Sequence, residues 1–218
     1  IMDYREEESR EVYNKLAGIA EGDGSEDMKE TLAASMKKRL PWLIALLFLG
    51  MFVSSVVGMF EGIVSKVAIL VCFQSLILDM AGNVGTQSLA VTIRVLMDEE
   101  ITFKTRLALV WKEVKIGMAN GGLLGIVSFL CIGVYVWLFK GNSILYGFAV
   151  SACVGISLVL AMAISSFAGT VIPLFFHKIK VDPAVASGPL ITTVNDLVAV
   201  VTYYGMAWLM LFHLFHLA

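Results

Sequence analysis

Five long apolar runs leave this chain few ways to fold. They cover residues 41–60, a stretch beginning at Val64, residues 117–139, residues 144 to about 175, and about 189–211. A hydrocarbon layer ~30 Å thick is crossed by about 20 helical residues. In that layer no water satisfies the backbone, so a helix, which bonds its own amides, is the economical solution. The chain reads as an all-α membrane protein with five transmembrane helices. Its composition agrees: 58% of residues are hydrophobic and 16% charged, against about half and a quarter in soluble domains.

The polar residues are segregated. Residues 1–25 carry the acidic cluster Glu6-Glu7-Glu8, with Val12, Leu16 and Ile19 at helical spacing, then a Gly/Asp/Ser/Glu linker. This reads as the tail of a soluble module. Residues 26–40 read as a connecting helix, with Met28, Leu32 and Met36 on one face and Lys37-Lys38-Arg39 at its end. Residues 41–218 are the membrane domain. The chain begins with Ile1, which reads as a piece of something longer. Its three cysteines, Cys72, Cys131 and Cys153, lie in apolar runs without metal spacing and read as small hydrophobes. No basic stripe or finger spacing points to nucleic acid, and no nucleotide-binding loop is present.

Five spans put the ends on opposite faces, and basic residues choose which. A cytoplasmic N-terminus places the 37–39 cluster, Arg94, Lys104, Arg106, Lys112, Lys115, Lys178 and Lys180 inside. Only Lys66 and Lys140 then remain outside, as the positive-inside rule requires. The expectation is a multi-pass protein of the cell membrane with its C-terminus outside.

Acids within such spans are costly and are functional candidates by default. Asp196 lies in the last run with no basic residue after it. Gly188, Thr192 and Asp196 are spaced i, i+4 and i+8, so they share a helix face that Ala199 and Tyr203 continue. In the second run, Leu78 to Gln87 brings Asp79, Asn83, Thr86 and Gln87 together with Gly82 and Gly85. That stretch is expected to break the helix and line a wet pathway. Glu61 marks an outer mouth. Oxygen-bearing groups without Cys or His at depth suit a hard cation, whereas His213 and His216 beyond the last span read as interfacial. Two intramembrane aspartates also raise an aspartyl protease, but its Y-D and G-x-G-D signatures are absent. A non-transporting scaffold or receptor, its polar residues serving packing alone, is the other alternative.

Two stretches carry a resemblance. Asp182-Pro183-Ala184-Val185-Ala186-Ser187-Gly188-Pro189-Leu190-Ile191-Thr192-Thr193-Val194-Asn195-Asp196 resembles the last membrane helix of the MgtE family of magnesium channels and transporters. Gly82-Asn83-Val84-Gly85-Thr86-Gln87-Ser88-Leu89-Ala90-Val91-Thr92-Ile93-Arg94 resembles its second membrane helix. The resemblance implies a homodimer, not an enzyme, whose pore runs along the twofold axis between the second and fifth helices. It implies Mg²⁺ as the transported ion, with Mn²⁺ and Co²⁺ as further candidates, passing into the cytoplasm. It makes residues 1–25 the end of a CBS-like module and 26–40 a plug helix under the pore. The metal site it implies centres on Asp196 of both subunits, with the backbone around Gly188 and Thr192 and the motif residue Asn83 contributing. Asp79, Glu61 and Asp182 join the candidate metal residues along the route as acids of the chain itself.

Overall fold

The computed structural model describes residues 31–98, 102–182 and 188–214. The proposed CBS-like tail, the first residues of the connecting helix, residues 183–187 of the last motif and His216 lie outside the described residues. Among the described residues six α-helices follow one another: α1 Leu32–Gly58, α2 Glu61–Lys66, α3 Ile69–Asp98, α4 Phe103–Lys140, α5 Ile144–Lys178 and α6 Gly188–Ala207. A π-helical stretch, Trp208–Leu214, continues α6. All but α2 are long and apolar enough to span a membrane.

Local sequence sets the ends. Thr31, Thr102 and Ser143 stand in extended backbone, and their hydroxyls accept from the amides of Ala34, Thr105 and Tyr146, supplying N-caps to α1, α4 and α5. Gly141 closes α4 in the left-handed conformation, φ 66°, which glycine adopts without a Cβ penalty.

Two expectations need correction. The boundary drawn at residue 40 leaves no mark on the backbone, since from Leu32 the helix runs through Pro41 without a break. The charged residues 94–115, which read from the sequence as a connection between the second and third spans, are largely helical: α3 continues to Asp98 and α4 starts at Phe103. Its 38 residues span about 57 Å at 1.5 Å per residue, so its charged first turns reach beyond the hydrocarbon. The Leu78–Gln87 stretch is continuous α-helix. Its glycines serve close packing, and the Thr86 hydroxyl donates within the helix to the carbonyls of Gly82 and Asn83.

Helix α5 is central, packing on α4, α3 and α6, while α1 leans chiefly on α6. Lipid is as apolar as a leucine side chain, so close approach rather than water exclusion holds such helices together. The α4–α5 seam is built for it. A Cβ on Gly125 would stand 2.8 Å from the Gly155 carbonyl oxygen, and one on Gly155 equally close to the oxygen of Gly125. Gly121 meets the Val159 backbone in the same way.

Among the described residues the interior forms two apolar clusters. The larger joins Leu70, Ile77, Val136, Val154, Leu158, Tyr203 and neighbours; the smaller holds Leu89, Ile93 and Ile191. Between them α3, α5 and α6 contribute Gly82, Gly85, Ser88, Ser165, Ser166, Gly169 and Asn195. This is a belt of small and polar residues across the bundle, and its serines and Asn195 are buried.

Candidate functional site

Helix α6 places the candidate ligands along its length. Its fully buried stripe is Ile191, Asn195, Ala199 and Tyr203, spaced i+4 throughout. Gly188, Thr192 and Asp196 lie one residue round from it and are half-buried. The single face expected from sequence is therefore two: Ala199 and Tyr203 belong to the core, and Asp196 stands at its edge. The Thr192 hydroxyl donates to the Gly188 carbonyl at 2.9 Å, and Thr193 does the same to Pro189. These bonds occupy the hydroxyl protons while each oxygen keeps lone pairs available. The Asp196 carboxylate makes no hydrogen bond or ion pair among the described residues.

Helix α3 brings its motif against this segment. A Cβ on Gly82 would sit 3.5 Å from Thr192 Cγ2, and one on Gly85 would fall onto the Asn195 amide. Farther along, the Tyr203 hydroxyl donates to the Leu70 carbonyl at 2.9 Å and that of Tyr204 to Gln74 Oε1 at 2.6 Å. The two motif segments, about a hundred residues apart in sequence, are thus one packed seam.

The other candidates stand apart from that seam. Asp79 and Asn83 are exposed on α3. Asn83 is about 130° round the helix from the Gly82/Gly85 face at 100° per residue. It lines a groove of ≈ 280 Å³ between α3 and α4, with Gln87, Asn120 and apolar neighbours including Met162. No hydrogen bond or ion pair joins Asp79 to Asp196, so the pair lacks the shared-proton arrangement of an aspartyl protease. Glu61 is exposed in the first turn of α2, and Asp182 is exposed just after α5. Among the described residues no three His, Cys, Asp or Glu side chains form a metal cluster. A site built on Asp196 is one carboxylate per chain.

One acid escaped the sequence reading. Glu113 is only 4% exposed and accepts from the Ser88 hydroxyl at 3.0 Å, tying α4 to the α3 motif. Among the charges of 104–115 it looks like one more connection residue. The signal that finds it is spacing: Glu113, Gly117, Gly121 and Gly125 repeat every four residues, and all face inward. His213 packs edge-on to Trp208 at 4.4 Å.

Comparison with known proteins adds independent findings. A family model described as "Divalent cation transporter", MgtE, matches residues 74–206. The protein named magnesium transporter MgtE in Bacillus subtilis is 41% identical over 207 residues, covering 95% of this chain and 43% of its own length. Its namesakes in Enterococcus faecalis and Thermus thermophilus are 38% and 30% identical, covering 95% and 97% of the chain and 43% and 44% of their own lengths. The chain spans less than half the length of these curated relatives.

Proposed function

The chain belongs to the MgtE family of divalent cation transporters, and on that premise we propose that it forms the membrane pathway by which Mg²⁺ enters the cytoplasm. Its relatives carry the name of magnesium transporters, a class that moves an ion and leaves it chemically unchanged. The observation that carries the reading is Asp196. It is a half-buried carboxylate with no hydrogen-bond or ion-pair partner among the described residues, on the helix where both motif segments meet.

An ionised acid at membrane depth needs water and a countercharge. A hydrated divalent cation supplies both. Mg²⁺ gives up its waters reluctantly and is commonly held through one or two carboxylates with several waters retained. In a homodimer whose pore follows the twofold axis, the two Asp196 side chains would face one such ion. The Thr192 hydroxyl and Gly188 carbonyl, about one and two turns away, offer oxygens to its water shell. Asp79 and Asn83 would flank the route, with Glu61 and Asp182 near its mouths. With the N-terminus cytoplasmic, the membrane potential drives entry. At about 2.3 kcal/mol per charge per 100 mV a divalent ion gains roughly twice that. Mn²⁺ and Co²⁺ are further candidate cargo for the same oxygen ligands.

The test is uptake into reconstituted vesicles loaded with a Mg²⁺-sensitive dye. The parent chain is expected to raise the internal signal, and Asp196→Asn to lose most of that rate while assembling normally. Uptake by Asp196→Asn at the parent's rate would defeat the reading.

A further inference from the structure

Asn195 is the least comfortable side chain in the bundle. It is fully buried, and neither Nδ2 nor Oδ1 has a hydrogen-bond partner. A buried amide left unpaired forfeits its hydration with nothing in return. Its surroundings are nonetheless shaped to it. It occupies the space left by the missing side chain of Gly85, where a Cβ would stand 2.8 Å from Asn195 Cγ. Behind Gly85, a Cβ on Gly169 would lie 3.0 Å from the Gly85 carbonyl carbon. Two glycines on two helices therefore let α3 close down on one amide. Elsewhere in the belt the hydroxyls of Ser165 and Ser166 are buried and unpaired as well, with Ser166 turned toward Gly117 of α4. On either side the seam is apolar or satisfied: Ile191 joins the smaller cluster, and Tyr203 is hydrogen-bonded to α3.

We propose that Asn195 is a positioning residue: its amide makes the α3–α6 seam separable at the belt, so that α6 can turn and swing Asp196 between two directions. In the arrangement seen, Asn195 wedges α6 against Gly85 and holds Asp196, one residue and about 100° away, at the edge of the core. When α6 turns, the amide meets the water of the pathway and gains the hydrogen bonds it lacks. The two arrangements then differ little in free energy, which a fully apolar seam would not allow. Packed helices have discrete arrangements, so a small bias at one residue selects between them.

This inference rests on Asp196 being the ion-binding carboxylate, and the experiment separates the two claims. Vesicle Mg²⁺ uptake, its half-saturating concentration and the thermal midpoint of the purified protein are measured for the parent, Asp196→Asn, Asn195→Leu, Asn195→Ser and Asn195→Ala. Replacing an unpaired buried amide by a side chain of similar branched shape is neutral or stabilising, so Asn195→Leu should melt at or above the parent. Its uptake should nevertheless fall about tenfold, since misplacing a ligand by an ångström costs that much or more. Asn195→Ser keeps a polar group in a smaller volume. It should melt lower than the parent yet transport within about threefold of it, and clearly better than Asn195→Ala, which shares its size but not its polarity. Transport that runs against stability in this way supports the proposal. Uptake that follows the thermal midpoint, or Asn195→Leu transporting like the parent, overturns it. Should Asn195→Leu fail to assemble, equal transport by the Ser and Ala variants overturns it instead. Normal uptake by Asp196→Asn would sink the underlying site assignment, whatever the Asn195 series shows.

Discussion

Asp196 and Glu113 are both carboxylates carried into helices of the bundle, and their neighbours give them different work. Glu113 is buried and bonded to Ser88, a use that joins two helices. Asp196 has no such bond among the described residues, which leaves it free for the ion of the proposed pathway. Asp196→Glu, longer by one methylene, should therefore assemble like the parent but discriminate less between Mg²⁺ and larger divalent ions, read as a change in relative uptake rates. Glu113→Ala should behave in the opposite sense. It leaves Ser88 unpaired and a cavity beside it, at a cost of about 2 kcal/mol, seen as a lower thermal midpoint. Uptake per assembled protein should stay within about twofold, because Glu113 lies off the proposed route. Asp79→Asn should leave measurable uptake, since Asp79 flanks that route without meeting the α3–α6 seam. Complete loss in a normally assembled Asp79→Asn protein would promote Asp79 to the principal ligand.

At the scale of helices, the sequence reveals what depends on length and hydropathy and hides what depends on who packs against whom. The five spans are visible because a bilayer imposes a length. The continuity of α3 through Gly82 and Gly85 is not, because glycine at membrane depth marks a break or a close contact with equal force. The outcome rests on Asn195 and Gly169, which lie some eighty residues or more downstream. The position of Glu113 is hidden for a related reason: four basic residues within 104–115 look like a loop until α4 is known to begin at Phe103. The α6 candidates were legible as a face, yet the boundary between Asp196 and Ala199 depends on the tilt of α6 against α5. The same reasoning makes the glycine seam testable. Gly125→Leu must push α4 from the Gly155 backbone, where even a Cβ would stand 2.8 Å from a carbonyl oxygen. Overpacking costs about 1–3 kcal/mol or more where backbone is the obstacle, so the variant should show a much lower thermal midpoint and yield. Gly122→Leu, with open space around its Cβ position, should be tolerated.

For the whole molecule the question is what covers the protein's polar outer surface. Asp79, Asn83 and Gln87 are exposed along one side of α3, at i, i+4 and i+8, in the span that also contributes to the larger and smaller clusters. An aspartate facing lipid at mid-depth costs about 2.5–3.5 kcal/mol on insertion scales, and amides add to it. Helix α1 buries no residue at all, although it is long enough to cross the membrane. A single copy thus carries an unsatisfied polar stripe and a helix with little to pack on. The proposed second copy across a twofold axis would resolve both, by enclosing a wet pathway beside α3 and α6 and giving α1 a neighbour. Closed twofold pairs are also the commonest oligomers. The expected result is a dimer when the protein is weighed by native mass spectrometry from nanodiscs, with detergent-solubilised protein giving the same mass. A charge reversal such as Asp79→Lys would bring two like charges into the enclosed space, so it should reduce Mg²⁺ uptake more than it reduces dimer yield. If nanodiscs hold only monomers while the vesicles still take up Mg²⁺, the pathway must be closed within one chain, and the shared twofold pore is wrong.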